Sequence, residues 1–179
     1  MTRNRLLLVQ TGTPPTAIRQ AHGDLPRWFR TLLAPWQTQL TTVRVFEDEP
    51  LPTPDNQTIT LSPWGVDDPL LSGLPATFPA HLSHLQTVTR LPEGATVLAA
   101  SAHDPHQIVR YGPHAVSTQF HPEFTAPIAR SLIRHREAVL QAEGIDAQRL
   151  HEEVQESPQG AAILTRFVSA FLTPDAPGH

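Results

Sequence analysis

The chain has 179 residues, 39% of them hydrophobic and 17% charged, with a net charge of −4. It is long and apolar enough for a globular core, which excludes a disordered chain, and it has no basic run of the kind that marks a nucleic-acid binder. Lysine and cysteine are both absent, which removes Schiff-base chemistry, a P-loop lysine, disulfides, thiolate–zinc sites and thiol nucleophiles.

Residues 5–9 are a short apolar run before Gly12, Pro14 and Pro15, as expected for a buried strand feeding a loop. Its four consecutive apolar residues fall short of the roughly 7–15 of a signal peptide, and no run nears the roughly 18 of a membrane helix. A cytoplasmic protein without membrane contact is therefore expected. Residues 25–33 place Leu25, Trp28, Phe29, Leu32 and Leu33 at helical spacing, with Asp24 as N-cap and Pro26 in the first turn. Residues 40–46 read as a strand. Residues 47–56 are acidic and hold Pro50, Pro52 and Pro54, so they read as a loop or junction. A strand over 57–61 follows, then a short helix or turn over 67–74 ended by Gly73 and Pro75. Residues 95–100, 107–111 and 115–120 are three strand candidates. The spacing predicts one long helix over 125–142, with Ile128, Leu132, Ile133, Val139 and Leu140 on one face and Gly144 as its stop. Further helices are predicted over 146–155 and, opened by Ser157-Pro158, over 159–172. Strands mixed with helices indicate one α/β domain over residues 1–179, with its C-terminal helices at 125–172.

The densest chemical signal is Gln119-Phe120-His121-Pro122-Glu123-Phe124, at the end of a strand-like run and before the long helix. Residues two apart in an extended chain share a side, so His121 and Glu123 can project together from a strand's carboxyl end, where open α/β sheets place their ligands. A carboxylate beside an imidazole fixes its tautomer and raises its basicity. The pair is an orienter and a base without a nucleophile; its plainer alternative is a loop histidine beside a solvated glutamate. Ser101 and Ser117 do not sit in a Gly-x-Ser-x-Gly elbow. Ten histidines raise a metal alternative through the His-x-x-His pairs His81 with His84 and His103 with His106, joined by His121 and His135 and completed by Asp104 and Glu123. No spacing specifies such a site, so none is expected. Trp28, Phe29, Trp36, Trp64, Phe167 and Phe171 read as core, and Arg130, Arg134 and Arg136 as the wet face of the long helix.

The hexapeptide, with residues 95–101, 107–112 and 115–119 before it, resembles the C-terminal half of class I glutamine amidotransferases. The likeness is to stand-alone members similar to the amidotransferase domain of GMP synthase. Residues 83–88 with Leu91-Pro92 are similar to that family's Ser-His-x-Asp/Gln stretch, and residues 67–71 and 73–75 also fit. The resemblance is good from Gln57 to about Leu172 and weaker over 5–54. It implies a flavodoxin-like open, mostly parallel sheet flanked by helices. It also implies no cofactor, glutamine or a γ-glutamyl amide as substrate, and a synthetase partner or a homo-oligomer. His121 and Glu123 match the family's catalytic histidine and glutamate, and His84 and Gln119 are implied near the substrate. Nothing matches the cysteine, its Gly-x-Cys-x-Gly turn or the flanking strand and helix. The fold is thus expected to be truncated in the middle, at a junction within residues 54–58, by about 60 residues if each β–α unit takes ~30, either because the protein truly lacks the segment or because the sequence records only part of a longer one. As written, the chain is expected not to hydrolyse glutamine. Its alternatives are a non-catalytic interaction protein and, less favoured, a histidine metal protein.

Overall fold

The computed structural model describes residues 6–10, 13–44, 54–83 and 87–172. Contacts divide the chain into two compact units, Met1–Leu51 with Leu164–His179, and Pro52–Ile163. No helix among the described residues is long and apolar enough to cross a membrane.

In the first unit, β1 (Leu6–Gln10) pairs in parallel with β2 (Leu40–Arg44), Leu6 opposite Leu40 and Gln10 opposite Arg44. Between them lie α1 (Thr16–His22), α2 (Leu25–Leu32) and a 3₁₀ segment, Ala34–Gln39. Asp24 caps α2 as expected, its carboxylate accepting from the Leu25 N–H at 2.8 Å. The residue also holds Gln10 and Thr13, at 3.2 and 3.1 Å. Sequence spacing does not report α1, because seven residues after two prolines carry only one buried side chain, Ile18. Trp36 is buried with Leu33, Val168 and Leu172, and its indole N–H donates to the Leu172 carbonyl at 3.1 Å.

The second unit is built on a five-stranded sheet of order β4-β3-β5-β6-β7: β3 (Pro54–Leu61), β4 (Thr77–Ser83), β5 (Thr96–Ala100), β6 (Ile108–Gly112) and β7 (Ala115–Thr118). Every pairing in it is antiparallel. The mostly parallel character expected from the resemblance is therefore confined to β1–β2 among the described strands. Two of the connections account for part of this. β6 and β7 are joined by Pro113 and His114 alone, and β5 and β6 by residues 101–107. A parallel return needs a crossover of a dozen or more residues. The expected junction at 54–58 lies inside β3, which runs from Pro54 opposite Ser83 to Thr60 opposite Thr77.

β4 is the strand that the pattern does not reveal. Phe78, Ala80 and Leu82 alternate as a strand should, but Pro79 lacks an N–H and argues against a central strand. The conflict disappears because β4 lies at the end of the strand order. The carbonyl of Pro79 accepts from the Ser157 hydroxyl at 2.8 Å. A bridge between Leu82 and Phe120 then links β4 to the chain leaving β7. The two ends of the sheet thus meet at that bridge.

α3 (Pro63–Asp67) crosses β5 at close range. The Ser62 hydroxyl donates to Val97 O at 2.7 Å and accepts from the Gly65 N–H at 3.0 Å. A Cβ on Gly65 would lie 1.9 Å from Leu98 O. Beyond α3, Asp68 receives Arg110 of β6 through two bonds, Nε to Oδ2 at 2.6 Å and Nη2 to Oδ1 at 2.8 Å. Burial works against the Asp68 charge, but the Arg110 fork and the Leu70 N–H outweigh it and hold the carboxyl below its ordinary pKa. Trp64, expected in the core, is 71% exposed on α3, because Gly65 is the α3 residue buried against β5.

The helices continue with α4 (Ala126–His135), α5 (Glu137–Ala142), α6 (Ala147–Glu152) and α7 (Pro158–Ser169). The helix expected over 125–142 breaks at Arg136, whose φ of −104° and ψ of 13° leave the helical region. Apolar spacing cannot report that break: Ile133 and Leu140 are seven apart and share a face either way. Both join one cluster with Ala126, Ala129, Ala147 and Val154.

The approach of Gly65 to Leu98 generates a stability prediction. Gly65→Ala must push α3 off β5, and overpacking of this kind is expected to cost about 3 kcal/mol. Urea unfolding of the two proteins checks it, and an alanine variant as stable as the parent would contradict the close approach.

Candidate functional site

The two ends of the curled sheet meet at residues 119–124. The Gln119 N–H still donates to Gln107 O of the β6 side, at 2.9 Å, and two residues later the His121 N–H donates to His81 O of β4, also at 2.9 Å. Phe120, between them, points into the core and meets Phe78 edge-on, with ring centroids 6.2 Å apart. The parity of an extended chain then sends His121 to the other side. Pro122 and the Phe124 N–H, which bonds to His121 O at 3.3 Å, turn the chain into α4.

His121 and Glu123 do converge: Nδ1 lies 2.7 Å from Glu123 Oε1. The imidazole stacks on Phe124, with centroids 4.1 Å apart and planes 16° from parallel. Its Nε2 lies 3.4 Å from the Ser83 carbonyl oxygen. A quarter of the His121 side chain, 26%, is exposed, against 2% for Glu123. Glu123 Oε2 is buried and has no hydrogen-bond partner among the described residues.

This arrangement favours the charged ring. With Nδ1–H donated to Glu123, a neutral imidazole would aim a lone pair at the Ser83 carbonyl. The imidazolium instead donates at both nitrogens. Burial opposes that charge. The Glu123 carboxylate, its hydrogen bond and the Ser83 carbonyl together overcome burial and raise the His121 pKa above its ordinary value.

Gln119 lies next to this pair in sequence, but its side-chain amide bonds elsewhere. It donates to Asp104 Oδ2 at 3.1 Å and to Thr87 Oγ1 at 3.4 Å. Asp104, buried, also accepts from the Thr87 hydroxyl and from the His106 N–H. It thus clamps the chain just after residues 84–86 onto the loop between β5 and β6. His84 lies outside the described residues. Ser101 is a turn residue: its hydroxyl donates to Gln57 Oε1 at 2.6 Å and accepts from the Asp104 N–H at 3.0 Å. Ser117 pairs with the Tyr111 hydroxyl. Among the described residues, no group of three or more histidine, aspartate or glutamate side chains is placed to hold a metal ion. His106 bonds Val88 O through Nδ1 at 2.6 Å, and His81 is buried in β4. Arg130, expected on the wet face, turns inward to Val154 O, at 2.8 Å.

Sequence reasoning misses two contributors, the carbonyls of His81 and Ser83. Both are main-chain groups, so residue type carries no signal for them. Asp104 has one: Ser101-x-x-Asp104 is a common side-chain-to-backbone turn.

A titration checks the charged-ring assignment. Glu123→Gln removes the anion and leaves burial in place. The His121 pKa is then expected to fall below the ordinary 6.5, as followed by NMR of its ring protons. An unchanged titration would show that the carboxylate does not hold the proton.

Residues 45–139, more than half of the chain, match the sequence profile of the family described as glutamine amidotransferase class-I. A 60-residue stretch is 42% identical to "GMP synthase [glutamine-hydrolyzing]" of Thermosipho africanus, covering 33% of this chain and 12% of that protein. A 70-residue stretch is 37% identical to the protein of the same name in Thermomicrobium roseum, covering 38% and 13%. The matched stretches thus span only a small part of those relatives. Among solved structures, a glutamine amidotransferase from Thermotoga maritima superposes with a TM-score of 0.54 at 17% identity, covering 92% of this chain and 77% of that one. A putative GMP synthase protein from Thermoplasma acidophilum gives 0.52 at 11% identity, covering 94% of each. These two likenesses are of fold, the open α/β, flavodoxin-like fold. With the profile match spanning the curled sheet and its His121–Glu123 turn, the chain belongs to the class I glutamine amidotransferase family.

Proposed function

We propose that this chain is an amidotransferase relative that does not hydrolyse glutamine and acts through binding or association. The supporting observation is the conjunction of a formed His121–Glu123 pair at 2.7 Å with the complete absence of cysteine. In the family reaction, a cysteine attacks the carboxamide, the histidine accepts its proton and the glutamate orients the histidine. Here the histidine has no thiol to deprotonate, so no glutamyl thioester can form. Ser101 does not substitute, because its hydroxyl is committed to Gln57 and to two backbone N–H groups of its own turn.

The substrate class carried by descent is glutamine or a γ-glutamyl amide, bound beside His121. His84 and Gln119 are proposed next to it, the Gln119 amide being held by Asp104 and Thr87. The GMP synthase names of the relatives support a synthetase-type partner, with a second copy of this chain as the other candidate. A histidine metal protein has no supporting geometry among the described residues.

Purified chain incubated with glutamine is expected to release no ammonia above background. It should take no label from thiol-directed glutamine analogues, and His121→Ala should change neither result. Turnover that disappears in His121→Ala would overturn the proposal. For association, sedimentation over a wide concentration range is expected to show an oligomer for the isolated chain, and a concentration-independent monomer would count against the second-copy reading.

A further inference from the structure

The strand that meets the His121 turn carries a second histidine, and its situation is the reverse of the first. His81 is 1% exposed, and neither ring nitrogen has a hydrogen-bond partner among the described residues. We propose that His81 and His121 form a two-histidine clasp at the seam of the sheet, closed while His81 is neutral and His121 is charged, so that acid opens the seam. The proposal does not depend on whether the chain turns over glutamine.

The geometry couples the two rings through one strand. His121 holds β4 at two points, by its N–H to His81 O at 2.9 Å and by Nε2 to Ser83 O at 3.4 Å. The Ser157 hydroxyl holds the same strand at Pro79 O. His81 lies between these fastenings. A neutral imidazole can be buried with its two nitrogens unbonded at moderate cost, but a charged one cannot, because two N–H donors and a full charge would lack water. Charging His81 therefore requires water at the ring. Water can reach a 1% exposed ring only if β4 separates from what covers it.

The charged groups that face His81 come from three elements. Glu156, in the segment between α6 and α7, favours its protonation, whereas Arg130 of α4 and His121 of the seam oppose it. Burial is the largest influence and takes the His81 pKa down. Arg130 is fixed by its bond to Val154 O. Glu156 is exposed, so water weakens its attraction.

The signs follow. His81 has a lowered folded-state pKa, so its contribution is present above the unfolded-state value near 6.5 and is lost as pH falls through the folded value. His121 has a raised one, so its contribution is full below 6.5 and is lost as pH rises through its folded value. The seam is then tightest near pH 6.5 and loosens on both sides.

The experiment uses the full chain and reads the protection of the His121 amide in hydrogen exchange, corrected for intrinsic rate, between pH 5 and 8. Protection is expected to fall by about tenfold from pH 6.5 to pH 5, the equivalent of one pK unit of mismatch. In His81→Leu the acid fall should vanish while the alkaline fall remains. In His121→Gln the alkaline fall in thermal unfolding temperature should vanish. An acid fall that persists in His81→Leu overturns the clasp. If that variant does not fold, the His81 ring resonance of the parent decides: a ring that stays neutral well below pH 6.5 supports the clasp, and one that titrates at the ordinary value within the folded state refutes it.

Discussion

The antiparallel sheet of the second unit ends where it begins, and most of what is chemically distinctive in the chain sits at that closure. Between Thr118 and His121 the backbone transfers its hydrogen bonds from β6 to β4. That hand-over fixes Phe120 on the core side and His121 on the other, since alternation leaves no choice. It also brings the Ser83 carbonyl to Nε2 of His121. The Leu82–Phe120 bridge and the bond from the His121 N–H to His81 O join the two ends at this point. Pro79, which has no N–H to leave unpaired, is compatible only with such a boundary strand.

The opposite end of the closure is held by contacts of a different kind. Gly65 allows α3 to sit against the Leu98 backbone, and Ser62 bonds to the neighbouring carbonyl of Val97. The Asp68–Arg110 fork then fixes the chain after α3 to β6. Asp68 is buried and Arg110 about a quarter exposed, so removing Arg110 would leave the Asp68 charge without its partner. β5 and β6 are thereby held while β7 leads the chain to β4. The seam depends on that fixed frame, because two edges can meet reproducibly only if the strands between them are rigid.

The parts legible in the sequence are those that local rules govern. Asp24 and Pro26 announce α2, and the helix expected over 146–155 forms over Ala147–Glu152. Spacing lets His121 and Glu123 project together but fits a plain loop histidine as well; the family resemblance singles out the pair, and Nδ1 of His121 lies 2.7 Å from Oε1 of Glu123. What is illegible depends on partners far away in the chain. β4 alternates well but contains proline, and only its position in the strand order reconciles the two. The antiparallel sense of β5–β6 and β6–β7 fits their short connections, whereas residues 62–76 between β3 and β4 would allow either sense and the family resemblance points to a parallel sheet. Trp64 reads as core on residue type, but its neighbour Gly65 makes the contact. The carbonyls that hold His121 cannot be read at all, because every residue offers the same carbonyl.

A His–Glu pair invites a catalytic interpretation, but each contact of His121 also has a structural use. Its N–H closes the seam, its two ring nitrogens bond a carboxylate and a carbonyl, and its face packs on Phe124. A catalytic base needs an unprotonated nitrogen directed at a nucleophile, and a structural cation needs acceptors on both sides. The Ser83 carbonyl supplies the second acceptor. Glu123, nearly fully buried with Oε2 unbonded among the described residues, gains more from a cation beside it than from a neutral ring. The same two residues therefore have a structural use in a chain without a thiol, since losing His121 would leave the buried Glu123 without its partner. The protonation state of His121, rather than the presence of the pair, is what separates a working base from a structural ion pair.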